Sequence, residues 1–453
     1  MRVYNYIGRN IILPASDIVL GTEVSKQLRF FEKTQWWKPQ ELEDYQNKKL
    51  RALIKHAYKN VPYYHNLFRS LNLYPEDIKT KDDLSKLPIL TKEEIKKNPD
   101  FFLAKNIKKK DMIKGATSGS SGKVFEYVID KYVLSAYRAV GLRGWGFAGY
   151  GVGDKIVTIA GSSLLPQKMT LLQKITFKAN RNLPLSSYNM DDRTVKNYIY
   201  RILKFKPKFI RGYPSSIAII ANYLLENDMH GIKLAAVMTT AETLYKRDRE
   251  LISSAFGCDV FDQCGCNDGG ENLCECKEHA GYHIAVERAI HEFINDANEP
   301  VSNNETSHII LTDLWNFAMP LIRYDAGDIG IPSDEMCPCG RGLPLVKTIM
   351  GRTVDRIVLP SGDLLPGLIL TDIFEKEGIA DRVINYQIIQ EEVDKFTVNI
   401  VKNEGYDNET SAKIHNFFVG HLGGSIDVKF NFVGTIPRTN ANKRRIVISK
   451  IRK

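Results

Sequence analysis

Two short apolar runs, Lys155-Ile156-Val157-Thr158-Ile159 and Leu234-Ala235-Ala236-Val237-Met238, are separated by longer amphipathic stretches such as Thr194 to Leu203 and Ser215 to Leu225. Runs of this kind without polar alternation suit strands covered on both faces, while the stretches between them carry helical spacing, so the middle of the chain predicts α/β layering. Toward the N-terminus, Leu50, Leu53, Ile54, Ala57 and Tyr58 share one helical face that stops at the Val61-Pro62 step. Thr91-Lys92-Glu93-Glu94 has the form of a capping box opening another helix, and the first hundred residues read as helical. Beyond Arg352 the character shifts. Asn385 to Gln390 and Phe396 to Val401 read as strands, followed by a helix-like stretch from Glu409 to Val419. The expected organisation is a large N-terminal α/β domain over 1–351, with a helical leader over about 1–100 and the sites in 101–351, then a small α+β C-terminal domain over 352–453.

At 453 residues, 43% of them apolar, the chain has material for two or three cores. A mean hydropathy of −0.26 and the lack of a long uncharged apolar run predict no integral membrane span. Met1 to Leu13 lacks the apolar core and cleavage site of a signal peptide, so the expected location is cytoplasmic. Lys+Arg number 63 against 53 Asp+Glu, a net +10. The excess is local: Arg438 to Lys453 holds only bases among its charges, and Lys105, Lys108, Lys109, Lys110 and Lys114 precede a Gly/Ser-rich loop. Both runs suit phosphate, but no nucleic-acid-binding motif accompanies them, and no nucleic-acid partner is expected. All seven cysteines lie between Cys258 and Cys339, an odd and clustered set that argues for a reducing compartment and a metal site over a disulfide framework.

The sharpest local feature is Gly115-Ala116-Thr117-Ser118-Gly119-Ser120-Ser121-Gly122-Lys123. Its glycines let backbone N–H groups turn toward an anion, its hydroxyls add donors and Lys123 adds charge. A Walker A loop is excluded, because Thr117 stands where that pattern needs Gly and Val124 where it needs Ser or Thr. Further on, Tyr324-Asp325-Ala326-Gly327-Asp328 offers a carboxylate able to accept both ribose hydroxyls, with Arg352 near enough in sequence to support it. Pro437-Arg438-Thr439-Asn440-Ala441-Asn442-Lys443 ends in a lysine suited to charge on a transferring carboxylate and phosphate. Each piece alone also fits a linker, a turn or a solvated tail.

Taken in order, the pieces resemble the adenylate-forming ligase superfamily, and within it the phenylacetate-CoA ligase and CapK-like branch. The same resemblance runs through Gln35-Trp36-Trp37, Asn60-Val61-Pro62-Tyr63-Tyr64, Leu87 to Lys92, Arg211-Gly212-Tyr213-Pro214-Ser215-Ser216 and Cys337-Pro338-Cys339-Gly340. It implies activation of a carboxylate by Mg²⁺-ATP to an acyl-adenylate and pyrophosphate, followed by acyl transfer to a thiol, amine or hydroxyl. Coenzyme A is one candidate acceptor, surface-polysaccharide assembly one context, and a homodimer one state; a phenylacetate-type aryl-CoA ligase and a non-catalytic binding scaffold are the competing readings.

By this resemblance, Thr117, Ser118, Gly119, Ser120, Ser121, Gly122 and Lys123 hold ATP phosphates, and Ala241, Glu242 and Thr243 line the adenine pocket. Asp328 takes the ribose hydroxyls with Arg352 in support, and Lys443 bridges carboxylate and α-phosphate. Asp268 takes the place of the usual Mg²⁺-binding Glu, one methylene shorter, with Cys264 where an aromatic residue is usual. Asn442 replaces the usual Gly before the lysine, which Asn's access to left-handed backbone allows. Asp355 is the hinge candidate for a C-terminal domain that rotates between the two half-reactions. The resemblance also implies a structural zinc ion, on Cys276, His279, Cys337 and Cys339, with Cys274 and His283 as alternative ligands.

Overall fold

The computed structural model describes residues 3–117, 125–166, 168–352, 356–362, 364–376, 378–423 and 426–451. They fall into two units, Met1–Ala326 with Gly330–Ile349, and Gly327–Ile329 with Met350–Lys453. In the first unit β1 (Met112–Thr117) and β2 (Phe125–Asp130) form an antiparallel hairpin. The parallel part of an eleven-stranded sheet follows: β3 (Ile156–Ala160), β4 (Asn182–Ser186), β5 (Phe209–Gly212), β6 (Ala236–Thr240) and β7 (Asp259–Cys266), adjacent in space as 4-3-5-6-7. Every residue of β3 and β6 is buried, which is why their sequences show no alternation.

Helices Asp192–Phe205, Pro214–Glu226 and Lys246–Phe256 cover one face, setting Ile199, Ile202, Ile217, Ile220 and Ile252 against Val157, Ile210, Val237 and Val260. On the other face lies Lys131–Phe147, whose Trp145 packs on Phe209, Met238 and Phe261. Asp191 and Asp130 cap the helices they precede, accepting from Thr194 N and Val133 N. The sheet continues through β8 (Glu271–Glu275), β9 (Tyr282–Ile284), β10 (Ala289–Ile294), β11 (Ser307–Asp313), β12 (Tyr324–Ser333) and β13 (Leu345–Arg352), in the order 10-11-12-13-9-8-7.

The leader is helical as expected: Pro39–Asn60 and Pro62–Ser70 part at extended Val61, and Leu50, Leu53, Ile54 and Ala57 are wholly buried. Thr91 caps Lys92–Lys97 by accepting from Glu94 N. A buried ion pair, Arg143 to Glu287 at 2.7 Å, with Thr34 donating to the same carboxylate, ties the leader to the sheet. Losing one partner of such a pair costs about 3–5 kcal/mol.

In the second unit β14 (Arg356–Val358) and β15 (Leu364–Pro366) form a small hairpin. β16 (Val383–Glu392), β17 (Lys395–Lys402), β18 (Asp427–Phe432) and β19 (Val447–Ser449) make a four-stranded sheet ordered 18-17-16-19. Helix Asn408–Leu422 contributes buried Ile414 and Phe418, which join Ile388, Phe396, Val398 and Ile400 in the interior of this unit. The expected strands and helix beyond Arg352 are all present. Among the described residues, no helix is long and apolar enough to cross a membrane.

Candidate active site

Open α/β sheets bind ligands beyond the carboxyl ends of their parallel strands. At that edge the chain collects Ser163 after β3, Tyr213 after β5, Ala241-Glu242-Thr243 after β6 and Asp268 after β7. Tyr213 and Ser163 share a hydroxyl–hydroxyl hydrogen bond. The Glu242 carboxylate accepts from Ser215 N at 3.2 Å, at the start of helix Pro214–Glu226. Ala241 holds a left-handed backbone, φ 71°, a strain that a non-glycine residue bears where the surrounding structure imposes it.

Asp268 is buried, with Cys266 Sγ donating to one carboxylate oxygen at 2.8 Å and the Tyr324 hydroxyl to the other at 2.5 Å. Each oxygen keeps a lone pair. One carboxylate completed by substrate phosphates and water is the usual donor set for Mg²⁺, so the residues present fit that ion. Tyr127 of β2 faces Asp268, and burial pushes its phenol up. The β1–β2 hairpin thus brings Tyr127 to this edge. Thr117 closes β1, and its buried Oγ1 has no partner among the described residues. Ser118, Gly119, Ser120, Ser121, Gly122 and Lys123 lie outside the described residues, as does Asp355.

In the second unit Asp328 is buried on β12 and accepts from Arg352 Nε of β13 at 3.2 Å, so the two residues expected to serve one sugar are paired. Lys443 ends a tight loop. Its N–H donates to Thr439 Oγ1 at 3.0 Å, its carbonyl accepts from Thr439 N, and Asn442 takes φ 60°. The left-handed residue expected before the lysine is therefore present.

The cysteine cluster requires one correction. Cys276, Cys337, Cys339 and His283 bring their ligand atoms within 4.8 Å of one another, and His279 is not in the group. Antiparallel pairing of β8 with β9 sets His283 opposite Cys274, with its side chain buried, whereas His279 sits in the connecting turn at φ 46° with Nδ1 3.5 Å from Glu275. Cys274 is also elsewhere: its thiol donates to Asn272 and sits where a Cβ on Gly144 would fall. Cys276 Sγ lies 3.5 Å from Cys337 Sγ, and Cys339 Sγ lies 3.4 Å from His283 Nε2. A tetrahedral zinc ion with bonds of 2.0–2.3 Å would set its ligands about 3.5–3.8 Å apart, so the donor set fits that metal. His283 Nδ1 faces the Leu343 carbonyl at 3.4 Å, the partner that orients a ligand imidazole.

Below the crevice, Asp262 accepts from the Thr239 and Tyr282 hydroxyls, and burial, then Glu275, pushes its carboxyl up to about 6. The folded value lies above the unfolded one of 3.8, so this group's favourable contribution is complete below that pH and lost as pH rises through about 6. Asp262→Asn is expected to gain about 1–3 kcal/mol relative to wild type above pH 6 and little near pH 4. Melting curves at the two pH values check this; a gain independent of pH would contradict it.

Comparison with known proteins places these features together. Residues 358–450 match the CapK C-terminal domain family. The chain is 27% identical to Protein CapK of Staphylococcus aureus over 91% of its own length and 90% of that protein's. It is 24% identical to the phenylacetate-coenzyme A ligase of Thermus thermophilus over 82% and 80% of the two chains. Over most of its length the chain is thus similar to CapK and to phenylacetate-CoA ligase. Its fold is similar to that of 2-hydroxyisobutyryl-CoA ligase in the postadenylation state, with a TM-score of 0.72 at 17% identity over 92% and 91% of the chains. The anthranilate CoA ligase AuaEII, in complex with anthranoyl-AMP, gives a TM-score of 0.56 at 14% identity over 90% and 79%.

Two residues of the site escaped sequence reasoning. Tyr324 had a signal, since it opens the Tyr-Asp-Ala-Gly-Asp stretch, but its hydrogen bond spans 56 residues to Asp268. Cys266 was visible only as one of the clustered cysteines.

Proposed function

We propose that the ligase activates a small-molecule carboxylate with ATP and passes the acyl group to coenzyme A. In the first step a carboxylate oxygen of the donor attacks the α-phosphorus. An acyl–phosphate bond forms, the α–β anhydride bond breaks and pyrophosphate leaves with the bonding electrons. In the second the acceptor sulfur attacks the acyl carbon, losing its proton to solvent, and AMP leaves. The donor needs no protein base, because it is already ionised at neutral pH.

The observation that carries this reading is the convergence of Ala241-Glu242-Thr243 and Asp268 on the carboxyl edge of adjacent parallel strands β6 and β7. Asp328 and Arg352 are proposed to take the ribose, Ala241 to Thr243 the adenine, and Thr117 to Lys123 the phosphates. Asp268 would hold Mg²⁺, which supplies positive charge at the phosphates when bound. Likeness to the phenylacetate-CoA ligases supports coenzyme A as acceptor. Likeness to CapK supports a second reading, an amine or hydroxyl acceptor in surface-polysaccharide assembly. Stoichiometric release of an acyl-CoA separates the two.

Cys276, His283, Cys337 and Cys339 are proposed to bind structural zinc. With four protein ligands the ion has no open position for substrate, and its part is to clamp the β8–β9 turn to the loop before β13.

Asp328→Ala is expected to weaken ATP binding about 10- to 100-fold, since a charged acceptor for two hydroxyls is lost. Calorimetry checks this, and unchanged affinity would remove Asp328 from the ribose site.

A further inference from the structure

Arg211 lies on β5 with its guanidinium carbon 4.7 Å from the centre of the Trp145 ring. Alternation along the strand puts it on the same side as Phe209 and Tyr213, toward helix Lys131–Phe147. Trp145 is fixed from its other edge, its Nε1–H donating to Gln263 Oε1 at 3.2 Å. The Arg211 Nε is buried and has no hydrogen-bond partner. No carboxylate pairs with this guanidinium among the described residues. The titratable groups facing it are Tyr137, Cys274 and Tyr213, none of them a carboxylate. The side chain is half-buried and keeps accessible surface.

The buried arginines of this unit, by contrast, are paired: Arg143 with Glu287 at 2.7 Å, Arg288 with Asp313 at 3.0 Å and Arg323 with Glu292 at 3.0 Å. An enclosed arginine cannot shed its proton as lysine or histidine can, so leaving it unpaired costs stability. Its planar fork of donors matches a carboxylate or phosphate. Arg211 stands two residues before Tyr213, which marks the crevice rim, so it lies about 7 Å beneath the rim on this strand, level with Met238 of β6 and Phe261 of β7.

We propose that Arg211 binds a second anionic group on the acyl donor, making the donors of this ligase dicarboxylates or other doubly charged acids. This rests on reading the crevice as the site of carboxylate activation. Arg211 is a specificity residue: it touches the far end of the donor and leaves the reacting atoms alone.

The test pairs adipate with hexanoate, and para-phenylenediacetate with phenylacetate, in ATP–pyrophosphate exchange. Wild type should favour the dianion of each pair by about 100-fold in kcat/KM, with the difference carried by KM. Arg211→Leu should lose that preference and Arg211→Lys should retain part of it. Because R211L removes a charge that has no partner, it is expected to fold, and its melting curve verifies this. Preference for the monoanion, or an unchanged ratio in R211L, overturns the proposal while leaving carboxylate activation intact. Adipate that binds wild type but not R211L by calorimetry, without exchange, supports the anion site and overturns activation. Neither exchange nor binding overturns both.

Discussion

Replacement of Lys443 by alanine is expected to lower acyl-adenylate formation about 100- to 1000-fold while changing ATP affinity little. Adenylation brings a carboxylate against a polyanionic phosphate, and charge builds on the oxygens between them. A lysine that acts on those oxygens matters most in the transition state, so its loss appears in kcat more than in binding. The loop is built to hold such a residue. Thr439 bonds both the N–H and the carbonyl of Lys443, and left-handed Asn442 turns the chain sharply just before it. Single-turnover adenylation with calorimetric ATP binding checks this prediction. Unchanged adenylation in Lys443→Ala would sink the assignment of this lysine.

Breaking the proposed zinc site is expected to have the second largest effect. Burial pushes the Cys337 thiol up to about 12 and also raises that of Cys276, whereas Cys339 is pulled down: burial opposes this, but the Arg341 backbone and side chain outweigh it. A metal bound there must displace thiol protons, so affinity should rise with pH. Cys337→Ser is expected to lose the ion and lower the melting midpoint by about 5–10 °C. His283→Ala should do likewise, whereas His279→Ala should keep the zinc. Metal analysis of the purified variants, read beside their melting curves, decides it. Full zinc content in His283→Ala, or loss in His279→Ala, would contradict the ligand set.

The difference between His279 and His283 shows what a sequence can and cannot carry. Cys-x-x-His is local spacing, and local spacing points to His279. The histidine gathered with the three thiols is instead chosen by antiparallel pairing of β8 with β9, a contact between strands that no spacing rule encodes. The α/β middle was legible because strands buried on both faces leave unbroken apolar runs, as β3 and β6 do. The Val61-Pro62 break and the left-handed Asn442 were legible because both are set by residue chemistry at a single position. Tyr324 and Arg211 were quoted within motifs without a role. Their meaning depends on partners far along the chain, Asp268 for one and the absence of a carboxylate for the other.

Carboxylate-dependent ATP–pyrophosphate exchange by the wild-type protein tests carboxylate activation most directly. Across a panel of mono- and dicarboxylates, with and without coenzyme A, exchange is expected to need both Mg²⁺ and one class of acid, with acyl-CoA formed when coenzyme A is added. No exchange with any acid, in a protein shown by calorimetry to bind ATP, would contradict it.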